Sequence, residues 1–438
     1  MSERRISVPF GKQPLTFTLP DGWDLAGTFA PAEYPPVHDA AAACAAGLAE
    51  PLGMPPLREL ARNRRKIAIV VEDVSRPTPI ADFFGPIIDA LDAAQVPDEA
   101  VTIVTALGVH RPMTEAEVKA KIGERAFGRY RWINHDFEPG DHLEMLGTTR
   151  RGTPCWINRE VSQADLVIGV GCIEPHIIAS FGGGSKILVP GVAGKETVAK
   201  THRRNTTPQT FNNVGLDPYQ NPMRQDLEEC VAMIKAPIFI VDAVLRGDLS
   251  VAQILAGDRD QVYRAGIEAA ARIFGVKVPG LADIVITSSH PMNVDMRQGA
   301  KSLANTIRAL RRGGTMLCLM AAEQGVGDFP VPEKRPPVGK RGLKVLSHVL
   351  IPLMGVTTLG MQEEAHFFTY FSLQAIKNYN VIFYAPTISP DVKRRLPFYD
   401  MHANIDEALA AAARLTPRGR VFVFPNGGVT YPIVEGDN

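Results

Sequence analysis

The chain has 438 residues, 45% of them hydrophobic, and its 47 basic side chains balance 47 acidic ones. That length suits two ordinary domains, each with its own core. Charge balance argues against a dedicated nucleic-acid or acidic-membrane binder, for which a basic excess is expected. The apolar runs are too short, and too often broken by charge or proline, to span a bilayer. The opening MSERRISVPF lacks the apolar core of a secretory signal, so a cytoplasmic protein is expected. Five scattered cysteines (Cys44, Cys155, Cys172, Cys230, Cys318) show no C-x-x-C spacing and argue against a disulfide framework or a structural zinc site.

In chain order, SVPFGKQPLTFTLP predicts a hairpin, and PAEYPPVHDAAAACAAGLAEPLG mixes proline breaks with a short helix. From Lys66 an alternating rhythm begins. KIAIVVED is a continuous apolar strand, SRPTP a stiff loop and IADFFGPIIDALDAA a helix. VTIVTALG is the next strand, followed by the loop VHRP and a helix opened by Thr114 with Glu117 three residues on, the spacing of a capping box. RWINHDF, LEMLGTT and TPCWIN predict an antiparallel insertion. After the central stretch, NPMRQDLEECVAMI predicts a helix, and IFIVDAVL and VAQILAG two strands around the turn RGDLS. The helix RDQVYRAGIEAAARIFG leads to VKVPG, the expected linker. A second unit follows, with strands at ADIVITS, TMLCLM, VIFYAP and RVFVFP and helices from about 297, near 365–377 and at NIDEALAAAARL, 404–415. The expectation is an α/β protein of two domains, residues 1–276 and 281–438, with mainly parallel sheets and a site in the cleft between them.

The chain is organised around residues 164–202, ADLVIGVGCIEPHIIASFGGGSKILVPGVAGKETVAKTH. A buried strand runs through His176 into the glycines Gly182, Gly183 and Gly184, then Ser185 and Lys186, and on to His202. A lone histidine is more often a satisfied structural residue than a ligand, and a lysine after glycines is usually solvated. Together in one passage they point further. Glycine lets backbone approach a ligand closely, and a lysine beside such a loop can clamp an anion or anchor a group covalently. Two more strand ends carry reactive groups: Asp73 with Arg76 in the SRPTP loop, and His110 in GVHRP. Arginine holds a carboxylate or phosphate through paired hydrogen bonds. Imidazole exchanges protons near neutrality, and a base on each face of a stereocentre is what racemisation needs.

Familiar motifs fail. Gly169-Val170-Gly171 lacks the third glycine of a dinucleotide fingerprint, Gly182 to Lys186 lacks Walker spacing, and neither H-E-x-x-H nor G-x-S-x-G occurs.

SRPTP, GVHRPMT, IEPH, GGGSK with ILVPGVAG, and the pair Thr201-His202, in this order, resemble the lactate racemase family. The resemblance runs from about Lys66 into the first helix of the second unit, and more loosely to the end. It implies a 2-hydroxyacid racemase or epimerase working by reversible hydride transfer to a nickel-pincer nucleotide, a nickel-bound pyridinium mononucleotide with two thio-acyl arms. By the same resemblance, Lys186 is the covalent attachment point, His202 the nickel ligand, and His110 and His176 the acid–base pair. Arg76, with Asp73 nearby, and the pair Gln298 and Lys301 fall near the substrate or the anionic groups of the cofactor. Gly182, Gly183, Gly184 and Ser185 form the cofactor loop. Cofactor-building enzymes are then implied upstream partners, and a homo-oligomer is compatible. Three features depart from the family: Ser75 replaces a usual Thr, Ser289-His290-Pro291 replaces Gly-Tyr-Pro, and all three tryptophans lie in the first half. The second-domain tryptophan of the lactate pocket is therefore missing, with Phe367, Phe368 or Tyr370 as replacements. The hydroxy acid is left open.

Two other readings compete. A nicotinamide-dependent 2-hydroxyacid oxidoreductase would use Gly169 to Gly171 but gives Lys186 and His202 no role. A non-enzymatic anion- or nucleotide-binding protein would use Arg76 and the glycine loop but needs no pair of histidines.

Overall fold

The computed structural model describes residues 5–204, 212–327, 329–361 and 363–435, without the side chains of 363 and 364. Continuous apolar runs form continuous strands. Ile67–Glu72, Leu166–Ile173 and Ile238–Leu245 are buried at every position, as befits a parallel sheet covered on both faces. They form the centre of a six-stranded sheet in the order Val251–Asp258, Ile238–Leu245, Leu166–Ile173, Ile67–Glu72, Val101–Ala106, Arg131–Asn134. All neighbours are parallel except Val251–Asp258, which returns antiparallel after the RGDLS turn. A second six-stranded sheet, wholly parallel, has the order Asp400–His402, Asn380–Tyr384, Leu310–Leu319, Ala282–Ser288, Gly419–Phe424, Trp23–Thr28. The fold is thus mixed α/β with mainly parallel sheets, as the alternation of strands and helices implied.

Local signals set many boundaries. The Thr114 side chain accepts from the Glu117 amide and Glu117 accepts from the Thr114 amide, completing the capping box of helix Glu115–Arg129. Helix Arg259–Phe274 starts under the Asp258 carboxylate and turns Val262, Ala269, Ala270 and Ile273 to the core.

Other boundaries depend on contacts distant in sequence. The predicted N-terminal hairpin forms between Arg5–Phe10 and Gln13–Thr18. It packs Ile6, Val8 and Phe17 against Ile284 and Leu317 of the second sheet. Strand Trp23–Thr28 pairs with Gly419–Phe424, and the Trp23 indole N–H donates to Thr416 O at 2.8 Å. Residues 1–276 therefore do not all lie with the first sheet: the second sheet's edge was free to pair, and the N-terminal strand fills it. VKVPG is likewise more than a linker, because Gly275–Val278 pairs with Tyr431–Val434. Arg131–Asn134 is the parallel edge of the first sheet, and only Leu143–Thr148 and Pro154–Asn158 form the expected antiparallel pair. Cys155 and Cys230, 75 residues apart, are bonded to each other, a pairing their scattered spacing did not signal.

In each sheet the chain winds one way and then reverses. The first reverses between Leu166–Ile173 and Ile67–Glu72, the second between Ala282–Ser288 and Gly419–Phe424. Loops diverge beyond the carboxyl ends of strands at such switch points and leave a crevice there.

Candidate active site

A cavity of about 450 Å³ is lined from both sheets' loops. Strand Ile67–Glu72 delivers Asp73, Ser75 and Arg76, strand Val101–Ala106 delivers His110, and strand Leu166–Ile173 delivers Glu174 and His176. The glycine loop adds Gly182, Gly183 and Lys186, and helix Lys195–Arg203 adds His202 from its last turn. Arg297, Gln298 and Lys301 enter from the second half. Nearly every residue singled out from sequence therefore meets in one space. Gly184 and Ser185 do not line it. The Gly184 amide instead donates to Asp242 Oδ2 at 2.6 Å, and the buried Ser185 hydroxyl donates to Glu228 at 2.6 Å; both brace the loop from behind. Gly169 and Gly171 lie inside a strand, where added side chains would meet Ile240, Ile187, Glu72 and Asp242. These glycines serve sheet packing and form no strand-to-helix turn for a dinucleotide.

The three histidines are held in defined tautomers. His110 Nδ1 lies 2.6 Å from Asp73 Oδ2, and a carboxylate only accepts, so Nδ1 carries the proton. His110 Nε2 accepts from the Arg297 guanidinium at 2.9 Å. His176 has the opposite arrangement: its Nδ1 accepts from the amides of Ile178 and Ala179 at 3.2 and 3.1 Å, leaving the proton on Nε2. His202 Nδ1 donates to Val198 O, one turn back, at 2.8 Å, which leaves Nε2 with its lone pair. An imidazole oriented through its other nitrogen in this way is suited to metal ligation.

The local field supports these states. Burial would raise the Asp73 carboxyl, but hydrogen bonds from His110 and Ser75 and nearby positive charge outweigh it and hold the group well below the usual range. Burial and then the charges of Lys186, Arg76 and Lys301 push His176 well below an ordinary imidazole. Burial and Lys186 bring His202 down to about 4. The Lys186 amine falls to about 7 through burial and the neighbouring Arg76, against the opposing pull of Glu174. Among the described residues it has no hydrogen-bond partner, and its lowered pKa gives it far more of the neutral, nucleophilic form near pH 7 than an ordinary lysine has.

Sequence reasoning gave no role to Glu174. Its carboxylate accepts from Arg76 at 2.5 Å and from Lys301 at 3.4 Å, joining a first-half cation to a second-half one. Burial alone would raise it; Lys301 and Arg76 bring it down. Its signal was a charge at the end of a wholly apolar strand. Arg297 gave none, since its bond to His110 spans 187 positions. Gln298 Oε1 is buried without a partner among the described residues, so the cavity holds an acceptor that a ligand can satisfy. Lys121 reaches Glu72 at 3.1 Å and the carbonyls of Arg76 and Thr78 at 2.9 and 3.1 Å, pinning the Arg76 loop from beneath. Of the aromatic residues weighed for the missing tryptophan, Phe367 and Phe368 line the cavity. Tyr370 does not, because it is 1% exposed in a separate cluster with Leu343 and Ile351. No three His, Cys, Asp or Glu side chains gather into a metal site among the described residues.

Fold and cavity define an α/β protein with mainly parallel sheets and a cavity lined by loops at their switch points. Residues 10–213 match the family described as the lactate racemase N-terminal domain. The chain is 29% identical over 333 residues to the lactate racemase of Thermoanaerobacterium thermosaccharolyticum, covering 74% of this chain and 75% of that protein. It is 27% identical over 384 residues to the lactate racemase of Lactiplantibacillus plantarum, covering 87% and 88%. Its fold matches the lactate racemase apoprotein from T. thermosaccharolyticum with a TM-score of 0.81 and 24% identity, over 98% of this chain and all of that one. A Thermotoga maritima protein matches at a TM-score of 0.65 and 16% identity, over 92% of this chain. The resemblance to the lactate racemase family read from the motifs therefore holds in sequence and in fold. Among the described residues no helix is long and apolar enough to cross a membrane.

Proposed function

We propose that the protein is an isomerase that inverts the C2 centre of a 2-hydroxy acid with the help of a covalently held nickel-pincer nucleotide. One observation carries the reading: a lysine amine without a hydrogen-bond partner among the described residues, an imidazole with a free Nε2, and two histidines of opposite tautomer share one cavity. The residues fit the group. Lys186 supplies the attachment amine, and His202 offers one neutral nitrogen to a metal whose other donors arrive with the nucleotide. When bound, the group supplies an acceptor that takes the C2 hydrogen with its electron pair and returns it.

The protein's residues do the rest. His110, once substrate displaces the Arg297 guanidinium from its unprotonated Nε2, takes the hydroxyl proton of one enantiomer, and Asp73 stabilises the imidazolium that results. His176 aims its Nε2 proton at the carbonyl oxygen of the transient 2-oxo acid once that carbonyl has turned its other face. Transfer of that proton uses the imidazolium form, which His176 reaches when Nδ1 takes up a proton in place of the Ile178 and Ala179 amides. Arg76 and Lys301 hold the carboxylate meanwhile, so the intermediate reorients without escaping. Gln298, whose Oε1 is buried without a partner among the described residues, lines the same cavity and contacts the substrate. The units around the two sheets act as domains that close over the cavity and exclude water. A nicotinamide oxidoreductase gains no support from Gly169 to Gly171, which lie within a strand.

The test is intact mass and nickel analysis of protein made alongside cofactor-building enzymes, with enantiomer exchange followed by chiral chromatography. An adduct lost in Lys186→Ala, nickel lost in His202→Ala, and exchange without any external redox partner are expected. An unmodified mass without nickel, or consumption of NADH, overturns the reading.

A further inference from the structure

One end of the cavity has no use in the chemistry above. It is walled by Phe329, Phe367, Phe368 and Phe371, with Ala300 and Ala304 among the other residues lining the cavity. The wall is continuous: the rings of Phe329 and Phe368 are 4.8 Å apart, and those of Phe367 and Phe368 are 5.6 Å apart and edge-to-face. Phe329 and Phe371 are the more buried of the four, whereas Phe367 and Phe368 are half-buried. A cluster serving only the core would have closed over itself.

Among the described residues the side-chain donors at this end are already committed. The Tyr399 hydroxyl is bound to Ser372 Oγ at 2.5 Å, and the Asn305 amide donates to the carbonyls of Gly427 and Gly428 at 3.0 and 2.9 Å. Among the described residues no charged side chain belongs to this wall, while Arg76 and Lys301 gather at Glu174 and Arg297 at His110. Ala300 and Ala304, one helical turn apart, take up little room beside the cation Lys301. The site is therefore sorted by polarity, with an anion-holding end and a dry aromatic end.

We propose that the substrate is a 2-hydroxy acid whose C2 substituent is bulky and apolar, an aryl or branched alkyl group seated against Phe367 and Phe368. This rests on the racemase reading and adds the substrate class to it. A methyl group would leave the ring faces bare, and a second carboxylate would meet no donor there. An aromatic substituent extends a cluster whose rings already pack tilted and edge-to-face with one another, the arrangement aromatic pairs prefer. Each added methylene buried in such a pocket improves discrimination roughly tenfold or more.

The test uses holoenzyme and four acids: lactate, malate, 2-hydroxy-4-methylpentanoate and 2-hydroxy-3-phenylpropanoate. Enantiomer exchange is followed by chiral chromatography and binding by calorimetry. The expected result is kcat/KM at least about tenfold higher for the phenyl or branched acid than for lactate, with malate poorest. Phe368→Ala narrows the ratio toward one, and Phe368→Leu, which keeps an apolar filling, narrows it less. Thermal melting confirms that both variants are folded. Exchange of lactate or malate at least as fast as the bulky acids overturns the substrate class and leaves the racemase reading standing. If no acid exchanges, the racemase reading falls, and calorimetry then tests the pocket separately. Phenyl-acid binding no tighter than lactate binding removes the proposal as well.

Discussion

Asp73→Asn tests the acid–base assignment most directly. The variant keeps the side chain's shape but removes the charge 2.6 Å from His110 Nδ1. The carboxylate matters most when His110 becomes an imidazolium. Two unit charges about 4 Å apart attract by roughly 4 kcal/mol at an effective dielectric of about 20. His110 is 27% exposed and Asp73 7%, so solvent screens part of this and ~2–4 kcal/mol remains. At about 1.4 kcal/mol per factor of ten, kcat falls about 30- to 1,000-fold. Enantiomer exchange by fully loaded protein, with loading verified by intact mass, is the assay. A fully loaded variant within threefold of the parent refutes Asp73 as the group that orients and stabilises His110. The pH dependence of stability gives a second readout. The Asp73 carboxyl is held low in the fold, so its contribution is complete above the unfolded pKa of about 3.9 and is lost as pH falls through the lower folded value. Asp73→Asn should flatten the acid limb of Tm against pH.

Three further outcomes are expected. Lys121→Met strands the buried Glu72 carboxylate and frees the carbonyls of Arg76 and Thr78; the cost by chemical denaturation is about 3–5 kcal/mol, and a loss below 1 kcal/mol would show the pair to be dispensable. Gly183→Ala places a Cβ against Ile173 Cγ1 and 2.9 Å from Asp242 Oδ2 and Cys172 O at a φ of 80°. It should cost roughly 2–4 kcal/mol and abolish attachment at Lys186; unchanged stability with full adduct would contradict the loop geometry. In protein lacking cofactor, an amine at about 7 is about nine-tenths neutral at pH 8, where an ordinary lysine is under about 1% neutral. Limited acylation with peptide mapping should therefore mark Lys186 ahead of surface lysines, and modification no faster than at Lys12 would refute the depressed value.

The sequence by itself determined the strands, most of the helices and the reactive residues, because those signals are local. Apolar runs such as IAIVVE and IFIVDAVL have no stable place except inside a covered sheet. The Thr114 capping box and the Asp258 cap are complete within four residues. The motifs around His110, His176, Lys186 and His202 follow strand ends that could be read directly. Tertiary structure decided what depends on partners far along the chain. Strand Trp23–Thr28 joins the second sheet because that sheet's edge needed hydrogen bonds. The histidine tautomers depend on Asp73, Val198 O and two backbone amides, which sequence lists without placing. Glu174 and Arg297 acquire their parts only when two switch-point crevices meet, bringing a carboxylate to Lys301 across 127 positions and a guanidinium to His110 across 187. Hydrogen bonds and charges act through space, and chain order alone does not encode those distances.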